Sequence, residues 1–247
     1  MVLIETTQPG NIGSSARAMK TMGLSRLHLV APRVFPHAEA IALAAGADDV
    51  LDSARVHGDL GAAVADCHVL IGASARRRGI PMPEMTPREA AAAILSAAGQ
   101  GEVALLFGTE RTGLTNDELL RCQACVRIPA NPDYSSLNLS QAVQVLAYEL
   151  RLASIEAGDL SLDSVPVDPI ETAATQSELD GFFRHLDATL EAIDFHKGNE
   201  GTTVTRRLRR LFIRAAMSGR EVAILHALLA DAERMARLAG LKAQGSD

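Results

Sequence analysis

Four polar stretches of the chain carry residue types able to bind or react, and each follows an apolar run. "TTQPGNIGSSAR" offers Asn11 and Arg17 among small residues, and "GASARRRGIPMP" offers three consecutive arginines, Arg76, Arg77 and Arg78. "FGTERTGLTNDEL" sets Glu110 and Arg111 between two glycines, and "RIPANPDYSSLNLSQA" clusters Ser and Asn after two prolines. A guanidinium clamps a phosphate through two parallel hydrogen bonds, or stabilises charge that develops on an oxygen. Glycines and small side chains let backbone N–H and C=O groups approach a ligand edge. The first stretch is neither of the common nucleotide loops. Gly10 and Gly13 give G-x-x-G where the dinucleotide fingerprint needs G-x-G-x-x-G, and the Gly-Lys-Ser/Thr of a P-loop is missing. What this Gly-rich turn presents is Arg17, where a helix begins. The seven histidines lack ligand spacing, and Cys122 and Cys125 form a lone "CQAC" without a second pair or a His partner. That pair reads as small buried thiols, and no metal is expected.

The elements that must hold these stretches follow from periodicity. "MVLIET", "RLHLVAP", "HVLIGAS", "VALLFG" and "ACVRIP" have strand character. Between them lie "SSARAMKTMG", "AEAIALAAGADDV", "DLGAAVADC", "PREAAAAILSAAG" and "NDELLRC", all of helical composition, with Thr115 as the N-cap of the last. Apolar runs separated by helices indicate a parallel sheet covered on both faces, a doubly wound α/β domain. Ligands collect beyond the carboxyl ends of such strands, where all four polar stretches fall. "NLSQAVQVLAYELRLASIEAG" is expected to close the domain as a helix, with Gly158 as its stop.

From Asp159 to about Thr175 the chain mixes Pro, Asp and Ser without periodicity, as a linker does. Beyond it the pattern is purely helical. In the middle helix Leu208, Leu211, Phe212 and Ala215 form the expected apolar stripe, and Arg206, Arg210 and Arg214 recur four apart on another face beside Arg207 and Arg209. The expected organisation is a catalytic domain over 1–157, a linker over 158–176 and a basic helical extension over 177–247.

Bulk properties bound the partners. Of 247 residues, 47% are apolar but none is Trp, so the core is built mainly from Ala, Leu, Val and Ile. No stretch has the length to cross a bilayer and no secretory leader opens the chain, so a cytoplasmic protein is expected. Three cysteines fit a reducing compartment. The net charge of −6 hides an asymmetry. From Val204 onward there are nine Lys+Arg against four Asp+Glu (+5), while the preceding 203 residues carry fifteen against twenty-six (−11). Such segregation suits a polyanion-binding end on an acidic body.

Three of the polar stretches also carry motifs in a fixed order: N-x-G-x-x-A-R from Asn11 to Arg17, FG-x-E-x-x-GL from Phe107 to Leu114, and "IPANPDYSSLNLSQA" from Ile128 to Ala142. Together they resemble the SpoU branch of the SPOUT-class RNA 2′-O-methyltransferases. "ARAMKTMGL", "AIALAAGADDV" and "LRRLFIRA" extend the resemblance over nearly the whole chain, the linker being its least specific part.

The resemblance implies a SPOUT-type α/β fold with a parallel sheet and a C-terminal trefoil knot of the second and third motif loops, a rare exception to un-knotted chain paths. A small all-helical C-terminal extension follows. It implies S-adenosylmethionine as methyl donor, bound by Ala73, Ser74, Ala75, Gly108, Ile128, Ser135, Ser136 and Leu137. It implies a catalytic set of Arg17, Asn11, Glu110, Ser136 and Asn138, and a homodimer in which each site takes Arg17 from the partner. The implied acceptor is the ribose 2′-OH of cytidine or uridine at nucleotide 32 of the tRNA anticodon loop. RNA would be gripped by Arg76, Arg77, Arg78, Arg206, Arg207 and Arg210. Whether Arg17 takes the proton stays open, because a side chain with a pKa above ~12 is a poor base and a good electrostatic clamp. Two alternatives stand beside this reading: a 2′-O-methyltransferase for another tRNA or rRNA site, and an RNA-binding module without catalysis. A nicotinamide-dependent enzyme is disfavoured by the missing glycine fingerprint.

Overall fold

Each apolar run identified above contributes a strand, and the helical segments between them cover both faces of one sheet. The computed structural model describes residues 1–75, 81–158, 173–195 and 202–244. Its strands are β1 (Val2–Ile4), β2 (His28–Val30), β3 (Arg55–His57), β4 (Cys67–Ala73), β5 (Glu84–Met85), β6 (Glu102–Phe107) and β7 (Ala124–Val126). They lie in the order β3-β2-β1-β6-β4-β7-β5, and every pair is parallel. The two strands not anticipated, β3 and β5, are the sheet edges. Each has one neighbour and neither is an apolar run, so hydropathy does not mark them.

Alternation along the strands feeds two cores. Leu3, Ile71, Leu105 and Phe107 face α1 (Pro9–Thr21), α2 (Ala38–Ala44), α3 (Asp48–Asp52), α5 (Pro87–Ala98) and α7 (Leu139–Glu156). Val2, Ile4, Leu70, Ala104 and Leu106 face α4 (Leu60–Val64) and α6 (Asn116–Leu120). Each large aliphatic side chain fully buried here contributes about 1.5–3 kcal/mol. Cys122 and Cys125 belong to the second core as buried thiols that form no disulfide, and burial pushes the Cys125 thiol up to about 11.

The Gly-rich segment departs from expectation. Rather than a turn, it is the start of α1, which begins at Pro9, a residue whose fixed φ and missing N–H suit a first helical position. A Cβ at position 13 would lie 2.0 Å from the Ala40 carbonyl oxygen, so the glycine lets α1 and α2 touch backbone to backbone. Gly is a weak helix former, and the tertiary contact overrides that preference. The expected single helix "AEAIALAAGADDV" divides into α2 and α3, because Ala45 and Gly46 take positive φ (47° and 93°). Thr115 caps α6 in a capping box with Glu118, and Gly158 follows α7 at φ 70°.

The chain divides into two compact units, Met1–Val165 and Pro166–Asp247. The second contains α8 (Gln176–Ala192), α9 (Thr202–Ala215) and α10 (Gly219–Gln244), packed around Phe182, Phe183, Leu186, Ile213, Met217 and Val222. The expected stripe on α9 holds at Leu208 and Phe212, which pack against this core, but not at Leu211 or Ala215, which are exposed. Leu211 is 49% exposed, whereas Ile213 and Arg210 are buried. Arg209 lies with its guanidinium 4.4 Å from the Phe183 ring centre and 3.6 Å from Asp180. Strict four-residue spacing puts Arg210 on a solvent ridge; the helix instead turns that position inward. Among the described residues no helix is long and apolar enough to cross a membrane.

Candidate active site

The sheet register builds the site. Leu3 pairs with Phe107, Phe107 with Ala73, and Ala73 with Val126, so four adjacent parallel strands end in one row. The segments leaving that row enclose a cavity of about 110 Å³. Ala73, Ser74, Ala75, Gly108, Ile128, Ser136 and Leu137, all expected at a cofactor site, line it. Ser135 does not; it lies exposed beside them. Phe107, Val126 and Leu139 supply further apolar wall, and Thr109, Arg111 and Thr112 supply polar groups.

The loop after β6 is folded back on itself. The Gly113 N–H donates to the Thr109 carbonyl at 2.9 Å, and the Thr109 and Thr112 hydroxyls meet at 2.7 Å. A Cβ on Gly108 would lie 2.2 Å from the backbone of Gly113 and Leu114, so only glycine permits this closure. The result is a wall of backbone and small side chains, suited to a flat heterocycle that needs close polar contacts along one edge.

Glu110 ties this loop to the start of α1. Its carboxylate accepts from the Thr7 N–H (3.1 Å), the Thr7 hydroxyl (2.9 Å), the Gln8 N–H (3.1 Å) and the Asn11 amide (3.0 Å). N–H groups at a helix start have no partner within the helix, and an anion there is favoured by the helix dipole. Burial opposes ionisation of Glu110, but the Asn11, Thr7 and Gln8 donors outweigh it and hold the carboxyl below the usual carboxylate range. Asn11 passes the link on, since its Oδ1 accepts from Asn138 Nδ2 at 2.9 Å. Asn138 is also the N-cap of α7, accepting from the Ser140 N–H at 2.9 Å and the Ser140 hydroxyl at 2.7 Å.

Three of the five residues expected to be catalytic therefore form one relay, Asn138–Asn11–Glu110. Of these only Glu110 lines the cavity, and its oxygens are already engaged by α1. Ser136 lines the cavity as well. Arg17 lies on α1, exposed, and does not line the cavity of its own chain. Arg76, Arg77 and Arg78 lie outside the described residues. Arg206 and Arg207 are exposed on α9, while Arg210, at 7% exposure, is buried rather than presented to solvent. Thr7 and Gln8 were not anticipated. The signal for them is Pro9, which marks a helix start whose preceding N–H groups need an acceptor.

A cavity at the carboxyl edge of a parallel sheet, beside a helix that carries an exposed arginine, lies where α/β enzymes bind their ligands. The chain belongs to the SpoU rRNA methylase family, whose model matches residues 1–148. Residues 177–240 match the family model of the tRNA methyltransferase TrmJ C-terminal domain. The chain is 46% identical to the tRNA (cytidine/uridine-2′-O-)-methyltransferase TrmJ of Sodalis glossinidius, over 94% of this chain and 90% of that one. It is 45% identical to the tRNA (cytidine/uridine/adenosine-2′-O-)-methyltransferase TrmJ of Pseudomonas aeruginosa, over 100% and 97% of the two chains. Its fold is similar to the crystal structure of TrmJ from Z. mobilis ZM4, with TM-score 0.81 and 35% identity over 94% of this chain and 97% of that one.

Proposed function

We propose that this chain transfers a methyl group from S-adenosylmethionine to the ribose 2′-OH of cytidine or uridine at nucleotide 32 in the tRNA anticodon loop. The observation that carries the reading is the relay Asn138–Asn11–Glu110, which locks the helix bearing Arg17 to the walls of the cavity. The relatives' names support the tRNA substrate and the 2′-O chemistry. The nucleotide address and the donor come from the family resemblance, as does the knotted crossing of the motif loops. On this reading Ile128 and Leu137 sandwich the adenine ring, Gly108 admits the ligand edge, and Ser74 and Ser136 supply polar contacts.

When bound, the sulfonium supplies an electrophilic methyl group and leaves as a thioether. The chain's task is to aim the 2′ oxygen along the line of that carbon–sulfur bond, so positioning carries much of the rate. Arg17 holds the adjacent phosphate bidentately and stabilises the negative charge that develops on the 2′ oxygen as its proton passes to solvent water. The family resemblance implies a homodimer in which the partner supplies Arg17, and the position of Arg17 outside the cavity of its own chain is consistent with that reading. The tRNA is gripped by Arg76, Arg77 and Arg78 and by Arg206 and Arg207 on α9.

Purified protein, labelled S-adenosylmethionine and unmodified tRNA transcripts test this, with the methylated nucleotide mapped by mass spectrometry. Label on the ribose of nucleotide 32 is expected. Label on another nucleotide would retain the chemistry and replace the address. Arg17→Ala is expected to lower kcat by about 100-fold or more, as loss of one transition-state donor does. Near-normal turnover in both Arg17→Ala and Arg17→Lys would remove Arg17 from the mechanism.

A further inference from the structure

Tyr134 is 82% exposed, more than any other large hydrophobic side chain among the described residues. The chain has two tyrosines, six phenylalanines and no tryptophan, so aromatic surface is scarce. Five of the eight lie in or against cores: Phe35 and Phe107 in the first unit, and Phe182, Phe183 and Phe212 in the second, while Tyr148 and Phe195 are about half exposed. A single exposed ring is ordinary on a protein surface, and what distinguishes Tyr134 is its place in the chain beside the cavity-lining residues Ser136 and Leu137. The Tyr134 hydroxyl has no hydrogen-bond partner among the described residues, and the backbone alone fixes the residue.

Two hydrogen bonds shape the turn that carries Tyr134. The Asp133 N–H donates to Asn131 Oδ1 at 3.1 Å, and the Tyr134 N–H donates to the Asn131 carbonyl at 3.0 Å, forming an Asx-type turn. Downstream, Asn138 is held by the α7 cap and by Asn11. Between those anchors the chain passes Ser136 and Leu137, which line the cavity. Tyr134 is therefore an aromatic residue presented two positions from the cavity wall, with its ring in solvent.

We propose that the Tyr134 ring is the stacking platform for the base of the methylated nucleotide. This rests on the reading that the cavity receives a ribose 2′-OH. A ribose is joined to its base by one bond, so a sugar seated at the cavity leaves its base at the rim, pulled from its neighbours. Unstacked RNA bases are held on aromatic side chains, which replace the lost base–base stacking. A π face accepts a pyrimidine or a purine alike, because stacking does not read hydrogen-bonding edges. Tyr134 accordingly contributes affinity for an extruded base without dictating its identity, and base choice falls to other contacts.

The absence of tryptophan makes this directly observable. Tyr148→Phe leaves Tyr134 as the single tyrosine of a full-length, Trp-free chain. An anticodon stem-loop RNA is expected to quench its emission after correction for absorbance. In the otherwise native chain, Tyr134→Ala is expected to lower kcat/KM for tRNA by about tenfold or more, and Tyr134→Phe to stay within about twofold, since the ring and not the hydroxyl stacks. S-adenosylmethionine affinity and oligomeric mass are expected to be the same in all three proteins. Full RNA affinity in Tyr134→Ala, no quenching on RNA binding, or equal losses in Tyr134→Phe and Tyr134→Ala would each overturn the proposal. So would dissociation of a dimer in Tyr134→Ala, which would make the ring an interface residue. If native protein quenches with RNA but transfers no methyl group, the transfer reading fails and the platform stands. If it methylates tRNA while Tyr134 stays silent, the platform fails alone.

Discussion

The Glu110 carboxylate gathers donors from Thr7, Gln8 and Asn11, so one charge joins the loop after β6 to the helix that bears Arg17. Hydrogen bonds to a charged group are worth about 1.5–3 kcal/mol each where water is excluded, and less at Thr7 and Gln8, which are exposed, than at the part-buried Asn11. Glu110→Gln removes the charge and one acceptor oxygen. The variant is expected to lose a few kcal/mol at most and to show a larger loss in turnover than in cofactor affinity, because Arg17 is misplaced while the cavity wall survives. Equal kcat for Glu110→Gln and the native protein would separate the relay from catalysis. The pH dependence has a definite sign. A carboxyl held below its ordinary value near 4.5 contributes stability that is complete above that value and is lost as pH falls through the lower folded value. Activity near neutral pH is thus expected to show no titration of Glu110. Gly13 sets a second test. Gly13→Ala forces a methyl to within 2.0 Å of the Ala40 carbonyl oxygen and is expected to destabilise the fold by at least 1–3 kcal/mol, as overpacking does, measured by denaturant unfolding. Gly10→Ala meets only the far ends of the Leu43 and Glu39 side chains, and is expected to be much milder.

At the scale of elements, the helix α1 and the strand pair β2–β3 mark where hydropathy reads well and where it stops. Strands β1, β2, β4, β6 and β7 are visible in the sequence because their apolar runs are buried on both faces. Strand β3 is not, since its burial is slight and it pairs along one edge only. The start of α1 escapes local pattern for a different reason. Gly10 and Gly13 look like turn residues until the proximity of α2 is known, and that proximity is a long-range fact. The site is legible as motifs at strand ends; the use of Asn11, Glu110 and Asn138 as a relay needs the register that brings them together. The unexpected strand also carries chemistry. His28 on β2 and His57 on β3 stack with ring centres 5.0 Å apart, and His57 Nε2 meets His28 Nδ1 at 3.2 Å. Burial, then the positive amino terminus and His57, push the His28 pKa below 6.5. The unfolded chain therefore binds this proton more readily than the folded one, so stability falls as pH drops below 6.5 toward the lower folded value. The thermal midpoint is expected to decline over that window in the native protein, and His28→Gln is expected to flatten the decline. An unchanged slope would assign the acid sensitivity to other groups.

For the whole molecule the governing quantity is charge, because a protein of net charge −6 is proposed to bind a polyanion. Uniformly spread, that charge would repel RNA. Segregated, it leaves the chain after Val204 with a positive balance suited to the proposed phosphate contacts and concentrates the acidic residues before it. Burial narrows the candidates on α9: Arg206, Arg207 and Arg214 are exposed, Arg209 covers Phe183, and Arg210 is inside. Spacing alone groups these arginines together, and only packing distinguishes the cation that meets solvent from the one that meets the core. Replacing Arg206 and Arg207 by Glu is expected to weaken tRNA binding at low salt and to reduce the slope of log affinity against log salt by roughly one for each phosphate no longer held. Cofactor affinity should not move, since neither residue lines the cavity. Arg210→Gln is expected to behave oppositely, lowering the thermal midpoint of the helical unit more than it changes the salt slope. If instead the double Glu variant keeps the native salt slope, the grip on RNA lies elsewhere, and the exposed arginines of α9 are a solvated face.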